Sequence, residues 1–290
     1  MFLREFEIRR IAGQGAEINL RISGSGPPLL MLHGYPQTHV MWHKIAPRLA
    51  EKYTVVLPDL RGYGDSAKPE SDASHSAYAK RAMASDMVTV MRTLGFERFR
   101  LAGHDRGARV AHRLALDHSN AVEKLALLDI IPTLQMYEAT DQALATAYFH
   151  WFFLIQPAPF PEHFIGLDPA FFLGAMRTLA RRADAFTNEA FAEYLRCFSD
   201  PACIHASCED YRAAATIDLQ HDRNDAGRKL DMPVLLLWGD EGVVGRLFDP
   251  LAVWSQLANN LAGRGLPCGH FLAEEEPDLT YQALDEFMSG

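Results

Sequence analysis

One short segment of this chain places an aspartate at the centre of a glycine-flanked turn, Gly103-His-Asp-Arg-Gly-Ala-Arg109. The Gly-x-Asp-x-Gly spacing matches a turn that leads sharply from a strand into a helix and exposes its central side chain, which is usually serine. A carboxylate such as Asp105 is a poor acyl-transfer nucleophile because the anhydride that it would form readily reverts. It can instead displace a leaving group from saturated carbon and form an ester. The segment therefore predicts substitution at an alkyl carbon.

Two arginines accompany the aspartate. Arg106 follows it directly, and Arg109 lies about one helical turn further on. Guanidinium groups bind carboxylates in a planar, charge-assisted arrangement, so we expect this pair to hold an anionic substrate. Their positive charge would also lower the pKa of Asp105 and keep it ionised. An ordinary salt bridge or a surface position is the alternative interpretation of either arginine.

The residues that flank the turn predict the strand and the helix that it needs. Residues 98–103 favour a short buried strand, and residues 107–118 place Val110, Leu114 and Leu116 on one side of a helix. Further strands are predicted at 5–11, 17–22, 28–33, 53–58, 122–128 and 233–238, and further helices at 41–52, 78–94 and 274–288.

Strands alternate with helices over most of the chain, which is typical of the α/β class, with a mostly parallel sheet covered by helices on both faces. The alternation stops between Ile131 and Arg228, where Ala, Phe and Leu recur at helical spacing. We therefore expect a helical cap at residues 131–228, inserted into a core formed by residues 1–130 and 229–290. Because ligands bind beyond the carboxyl ends of parallel strands, the cap would cover the site.

The composition excludes several classes of partner. The formal net charge of −9 argues against nucleic acid and against an anionic membrane. No segment has the pattern of a signal peptide or of a membrane span, so we expect a cytoplasmic protein. The cysteines match no zinc-binding spacing, and we expect free thiols and no metal site. They are Cys197, Cys203, Cys208 and Cys268.

Several motifs together resemble one known family. They are His33-Gly-Tyr-Pro-Gln-Thr38, Asp59-Leu-Arg-Gly-Tyr-Gly-Asp-Ser66, the Asp105 turn, His150-Trp151 and Gly269-His270. On these motifs the chain resembles the α/β-hydrolases, and more narrowly the haloacetate dehalogenases of the fluoroacetate dehalogenase type. The first two motifs are typical of the fold and say little about the substrate, whereas the Asp105 turn and the His-Trp pair are more specific. The resemblance extends over most of the core and part of the cap.

This chemistry needs a base that activates water to cleave the ester, and an acid that orients the base. In this fold the order along the chain is nucleophile, acid and histidine, which makes His270 the expected base. Asp129, at the end of the strand before the cap, is the acid to which the resemblance points. Asp240 is the alternative, because many members of the fold carry the acid in this region. The usual acidic position there holds Gly242, so we favour Asp129.

The resemblance also implies the remaining site residues. By analogy with the fold, the backbone N–H groups of Tyr35 and Arg106 are expected to bind the oxyanion that forms during ester hydrolysis. His150, Trp151 and Tyr211 are expected to donate hydrogen bonds to a departing halide, because imidazole, indole and phenol groups are neutral donors.

A two-step mechanism follows. Arg106 and Arg109 hold the carboxylate of a 2-haloacetate while Asp105 displaces halide from the α-carbon. Water activated by His270, with Asp129 behind it, then hydrolyses the ester and releases glycolate. The mechanism requires no metal and no organic cofactor, and the expected partner is a small anionic organohalide. The preferred halide and the formation of a homodimer are left open.

Three other functions compete with this one. An epoxide hydrolase would use the same nucleophile, with Tyr148 and Tyr211 protonating the epoxide oxygen, although such enzymes usually have an apolar aromatic residue in the place of Arg106. A haloalkane dehalogenase has an uncharged substrate, which gives two arginines nothing to bind. A non-enzymatic small-molecule receptor on this fold would have a broken triad, whereas candidates for all three members are present here. Outside the epoxide hydrolase interpretation, Tyr148 is expected to pack.

Overall fold

A computed structural model describes residues 2–182 and 184–290 of the 290-residue chain. Met1 and Ala183, which fall within the predicted core and cap, lie outside the described residues. Within the described part, the centre is an eight-stranded sheet in the order β1-β2-β4-β3-β5-β6-β7-β8. The strands are β1 (Glu7–Ala12), β2 (Glu17–Ser23), β3 (Pro28–Leu32), β4 (Thr54–Pro58), β5 (Phe99–His104), β6 (Val122–Leu128), β7 (Val234–Gly239) and β8 (Leu261–Leu266).

Most of the sheet is parallel. β2 pairs antiparallel with β1 and with β4, and the remaining pairings between described strands, from β4 through β3, β5, β6 and β7 to β8, are parallel. The central strands are nearly continuous apolar runs, such as Pro-Leu-Leu-Met-Leu in β3, because helices cover both faces of the sheet. The predicted α/β class is confirmed.

Helices occupy both the connections of the sheet and the long segment between β6 and β7. They are α1 (Ala46–Leu49), α2 (Lys80–Thr93), α3 (Arg106–Asp117), α4 (Thr133–Glu138), α5 (Gln142–Ala147), α6 (Phe149–Leu154), α7 (Phe160–Leu167), α8 (Pro169–Met176), α9 (Asn188–Phe198), α10 (Pro201–Ala215), α11 (Ile217–Asn224), α12 (Val243–Leu247), α13 (Pro250–Trp254), α14 (Leu272–Glu275) and α15 (Pro277–Ser289). Short 3-10 turns lie at His39–Trp42, Ser76–Tyr78, Ser119–Ala121 and Arg177–Leu179.

The segment from β6 to β7 contains α4 to α11 and no strand among its described residues. Helix α10 lies at its centre and packs against α6, α7, α9 and α11. The boundaries of the cap, residues 131 and 228, stay a prediction.

Two predicted helices are interrupted by proline. The segment 41–52 forms the 3-10 turn His39–Trp42 followed by α1, with Pro47 in the first turn of α1. The segment 274–288 is divided into α14 and α15, and Pro277 begins the second helix. Proline lacks the N–H that a helix interior needs but fits the first turn, so each proline lies in the first turn of a new helix.

Strand β8 is absent from the sequence prediction. Its sequence, Leu-Ala-Gly-Arg-Gly-Leu, has neither an apolar run nor an apolar alternation, and five of its six residues are partly or fully exposed. The strand forms because β7 offers a free edge, to which Leu261–Leu266 adds in parallel. Whether such a strand forms depends on the neighbouring strand, and the local sequence pattern contains no information about that neighbour.

Candidate active site

Asp105 lies at the turn between β5 and α3, with φ of 46° and ψ of −116°. This conformation is sparsely populated by residues other than glycine. The flanking glycines allow the close approach that it requires. A Cβ on Gly107 would lie 2.3 Å from the carbonyl oxygen of His33, and one on Gly103 would lie 2.6 Å from the carbonyl oxygen of Gly107. The strand, the turn and the helix predicted from the segment are all present.

The carboxylate of Asp105 is buried among positive groups. Its Oδ2 accepts a hydrogen bond of 3.0 Å from the backbone N–H of Tyr35. Burial alone would raise the pKa of Asp105, but His270, His104 and the two arginines of the turn outweigh that effect and lower it. The side chain is therefore an anion at neutral pH.

His270 and Asp129 form a buried pair beside Asp105. The His270 Nδ1 donates to Asp129 Oδ2 at 2.6 Å, and Asp129 Oδ1 accepts from the Gly239 N–H at 2.9 Å. Burial would lower the pKa of His270, but the hydrogen bond and charge of Asp129, together with the charge of Asp105, raise it. Asp240 is exposed, and its side chain lies against Gly265. The structure thus brings Asp129, and not Asp240, to His270.

Arg106 is fully buried and paired with Asp210. Its Nε and Nη2 donate to the two carboxylate oxygens of Asp210 at 3.0 and 2.7 Å, and Nη2 also donates to the Asp210 carbonyl at 2.9 Å. Burial opposes the charge, but Asp210 raises the pKa of Arg106 well above its ordinary value. The third nitrogen, Nη1, is buried and has no hydrogen-bond partner among the described residues.

Arg109 is anchored in a similar way but without a carboxylate. Its Nη1 donates to the Ile131 carbonyl at 2.8 Å and to Thr133 Oγ1 at 3.0 Å. Its Nε is buried and has no partner within the described chain. Burial, helped by the charge of Arg106, lowers the pKa of Arg109. Each arginine therefore keeps one buried N–H group for which the surrounding described residues supply no acceptor, an arrangement that favours an anion.

Aromatic rings from α6 and α10 lie against these guanidinium groups. The Cζ of Arg106 is 4.1 Å from the centre of the Tyr211 ring, and that of Arg109 is 4.6 Å from the Trp151 ring. Ring centres are 5.9 Å apart for Trp151 and Tyr211 and 6.0 Å apart for His150 and Tyr211. The structure thus groups all three residues predicted to bind halide.

His150 is neutral at physiological pH. Burial lowers its pKa from 6.5 to about 3. Its Nδ1 is buried and has no hydrogen-bond partner among the described residues. Tyr148 stacks flat on Trp151, with ring centres 6.0 Å apart and an angle of 4° between the planes. Packing, as expected, is its visible role.

A family model for the α/β hydrolase fold matches residues 27–277 of the chain. The chain belongs to the α/β-hydrolase fold family. Within this family, it is 50% identical to a fluoroacetate dehalogenase from Burkholderia sp over 98% of this chain and 94% of that one. It is 33% identical to a soluble epoxide hydrolase from Corynebacterium sp. (strain C12), over 95% and 94% of the two chains. A solved α/β-hydrolase structure from Nostoc sp PCC 7120 superposes with a TM-score of 0.98 at 58% identity, covering 100% of this chain and 99% of that chain.

Some residues around the site of this α/β-hydrolase escaped the sequence analysis. Asp210 also accepts from the Tyr63 hydroxyl at 2.6 Å and from Lys80 Nζ, so three groups share one buried carboxylate. His104 donates from Nε2 to the backbone carbonyl of His270 at 2.8 Å. Asp210 directly precedes Tyr211 in the chain, and His104 directly precedes Asp105. The available sequence signal for Asp210 and His104 was their position next to a predicted site residue. That position does not show which partner the side chain contacts.

Other predicted features concern the molecule outside the site. The four cysteines are buried and unpaired. In residues 2–182 and 184–290, no group of His, Cys, Asp and Glu has the arrangement of a metal site. No described helix is both long enough and apolar enough to cross a membrane.

Proposed function

We propose that this α/β-hydrolase removes halide from 2-haloacetates by hydrolysis, giving glycolate through an ester on Asp105. The observation that carries the proposal is the pair of buried arginines beside a buried aspartate, each with an N–H group for which the described residues provide no acceptor. An anionic carboxylate satisfies both groups with charge-assisted hydrogen bonds, whereas an uncharged haloalkane has no oxygen acceptor to offer them. The identity of 50% to a fluoroacetate dehalogenase supports the same substrate class.

In the first step Asp105 attacks the α-carbon. Because the Tyr35 N–H holds Oδ2, the free oxygen Oδ1 is the attacking atom. The new C–O bond forms as the carbon–halogen bond breaks, and the halide leaves with its electron pair. Arg106 and Arg109 hold the substrate carboxylate, while His150, Trp151 and Tyr211 surround the halide with neutral donors.

In the second step water cleaves the ester. His270 takes a proton from the water, and the resulting hydroxide attacks the carboxyl carbon of Asp105. Asp105 Oδ2 becomes the oxyanion and already accepts a hydrogen bond from the backbone N–H of Tyr35. The backbone N–H of Arg106 is the second expected donor. Collapse of this intermediate expels the glycolate alkoxide, which takes the proton from His270, and leaves Asp105 as a carboxylic acid. The lowered pKa of Asp105 favours release of the second water proton to solvent, which restores the carboxylate. Asp129 stabilises the positive charge on the histidine during this step.

A His270→Asn variant tests this mechanism. The first step does not need the base, so one carboxymethyl group should accumulate on Asp105 after incubation with chloroacetate or fluoroacetate. Peptide mass spectrometry locates the added group. His163→Asn on α7 is the matched control, because His163 is exposed and should leave turnover intact. The absence of any adduct in His270→Asn, with a wild-type protein that releases halide, would refute the ester intermediate.

Epoxide hydrolysis is the second candidate function, favoured by the 33% identity to a soluble epoxide hydrolase. It would use the same nucleophile and base, with Tyr148 and Tyr211 as acids. Two observations weigh against this function. Tyr148 stacks on Trp151, and the guanidinium groups of Arg106 and Arg109 lie near the nucleophile. Assays of halide release from haloacetates and of diol formation from a small epoxide, run side by side, separate the two functions.

We also infer a cytoplasmic location and a homodimer. Reduced thiols support the first inference, since all four cysteines are unpaired. An apolar surface on α7 and α8 supports the second. It consists of Phe160, Phe164, Leu167 and Phe171, with exposed fractions of 52%, 53%, 69% and 76%. A second copy of the chain would cover this surface.

A further inference from the structure

A cleft of about 330 Å³ leads from the surface to His270. Thr146 on α5 and Phe149 on α6 form one side, and the loop and helix that follow β7, with Gly242 and Arg246, form the other. His270 itself is only 6% exposed and contributes to the lining. The cleft therefore reaches a residue that also contacts the inner site.

Phe149 occupies a position between solvent and the inner site. Its ring is 49% exposed, and it stands edge-on to His150 with ring centres 5.9 Å apart. His270 donates its backbone N–H to the Leu179 carbonyl at 3.1 Å, and Leu179 also lines the cleft. The cleft is thus lined both by His270, the expected base, and by Phe149, which contacts His150 of the proposed halide site.

The lining of the cleft is positively charged although the chain as a whole carries −9. Arg181 and Arg246 both line it, and no Asp or Glu is among the described lining residues. Arg181 uses its Nε to bind the Glu241 carbonyl at 2.9 Å, which fixes the base of the side chain. The backbone N–H of Arg181 donates to Glu275 Oε2 at 2.7 Å. Neither guanidinium group has a carboxylate oxygen within 4.0 Å in the described part of the chain, so both side-chain charges are available to an incoming anion.

The position after β7 at which many members of the fold carry the triad acid has no carboxylate here, and this contributes to the positive charge of the cleft. Asp129 on β6 partners His270, and the loop after β7 carries glycine at position 242. A Cβ there would lie 3.2 Å from the Gly239 carbonyl oxygen and 3.4 Å from the Gly269 carbonyl carbon, so any side chain would narrow the cleft. A carboxylate at this point would also repel an anion.

We propose that this cleft is the route by which small carboxylate anions reach and leave the site, and that Arg181 and Arg246 attract them electrostatically. The inference rests on the proposed function, since it assumes an anionic substrate. A positive opening in a negative protein raises the local concentration of anions and speeds association, and salt suppresses that effect.

The first test compares the ionic-strength dependence of kcat/KM for chloroacetate. An Arg181→Gln/Arg246→Gln double variant should lose on the order of tenfold in kcat/KM at about 10 mM ionic strength, where the Debye length is about 30 Å. Its kcat should stay at the wild-type value, and the difference in kcat/KM should disappear at about 1 M salt, where the Debye length is about 3 Å.

Two controls make the result specific. Arg264→Gln on β8 removes an arginine that lines a separate cleft, and should behave as wild type. Arg181→Lys/Arg246→Lys keeps both charges and should restore kcat/KM, which loss of packing alone would not predict. A double variant that matches Arg264→Gln at low salt overturns the proposal.

The second test blocks the cleft physically. All four natural cysteines are buried, so Thr146→Cys, at an exposed lining position, introduces a selectively reactive thiol. Attachment of a bulky maleimide there should reduce turnover at least tenfold, whereas the same label on Ser255→Cys, exposed on the surface beyond α13, should not. Equal turnover of the two labelled variants overturns the route. A wild-type protein that releases no halide from any haloacetate would instead refute the proposed function.

Discussion

His270 faces two carboxylates that have different fates in the proposed reaction. Asp129 stays ionised throughout, whereas Asp105 loses its charge when it becomes an ester. Both charges raise the pKa of His270 in the free protein. Ester formation removes one of them, so the pKa of His270 falls just when the histidine must be neutral to accept a proton. Ester formation on the nucleophile therefore lowers the pKa of the base that the second step needs.

The pH dependence of the two steps should differ for this reason. Hydrolysis needs neutral His270, so its rate should fall about tenfold per pH unit below the His270 pKa of the ester state. Alkylation needs ionised Asp105, whose pKa is lowered, and should persist to more acidic pH. Rapid-quench mass spectrometry of the wild-type protein should show the ester accumulating as the pH decreases. A parallel decline of both rates would contradict this order.

Asp210 holds two buried cations, and its removal should be costly. Asp210→Asn leaves the buried Arg106 without a compensating charge and leaves Lys80 with Asp218, 3.6 Å away, as a carboxylate partner. The free energy of unfolding should therefore decrease by about 3–5 kcal/mol. Urea denaturation measures the change. Tyr63→Phe is the matched control, because it removes one hydrogen bond to the same carboxylate and should cost only about 1 kcal/mol. Equal losses in the two variants would show that the charge of Asp210 is unimportant.

At the scale of elements, the contact between α3 and β3 determines where Asp105 stands. Gly107, the second residue of α3, lies directly against the His33 carbonyl, and a Cβ there would be 2.3 Å from the carbonyl oxygen. A methyl group cannot fit there without moving the helix away from the sheet. The glycine therefore fixes the distance between the nucleophile and the Tyr35 N–H.

Gly107→Ala should lower both activity and stability. We expect a loss of about 1–3 kcal/mol in the free energy of unfolding, measured by thermal or urea denaturation. Gly166→Ala on α7 is the control, because nothing described lies within 4 Å of its Cβ position. Alanine at that helical site should instead stabilise the protein by about 0.5–1 kcal/mol. If Gly107→Ala left both the activity and the free energy of unfolding unchanged, α3 would be able to shift freely, contrary to this prediction.

The sequence predicts elements best where a single local cause decides them. The strand 122–128 was predicted with the bounds that the structure has, and its last four residues, Leu-Ala-Leu-Leu, form a short apolar run that is buried throughout. β8 was missed because its pairing depends on the edge of β7, and the helix predicted at 274–288 was not divided at Pro277. The residues of the site were predicted from motifs, but the partnership of Arg106 with Asp210 joins residues 104 positions apart and has no local signature.

At the scale of the whole molecule, the apolar surface on α7 and α8 predicts self-association. Phe164→Ser/Phe171→Ser should shift the protein from dimer to monomer in light scattering coupled to size exclusion, because the apolar area that favours association is reduced. Ile8→Ser on β1 is the control, since Ile8 is also 56% exposed but lies outside this surface. A wild-type protein that is monomeric at high concentration would contradict the homodimer.

The two carboxylates of the site share an unusual backbone. Asp105 and Asp129 end neighbouring strands, and both have positive φ, 46° and 53°. Such conformations cost of order 1–3 kcal/mol each, a cost that glycine largely avoids. Selection for stability and selection for chemistry therefore oppose each other at these two positions. In a lineage released from the need for this reaction, substitutions that relax the two turns would be favoured, and the activity would be lost as the fold became more stable.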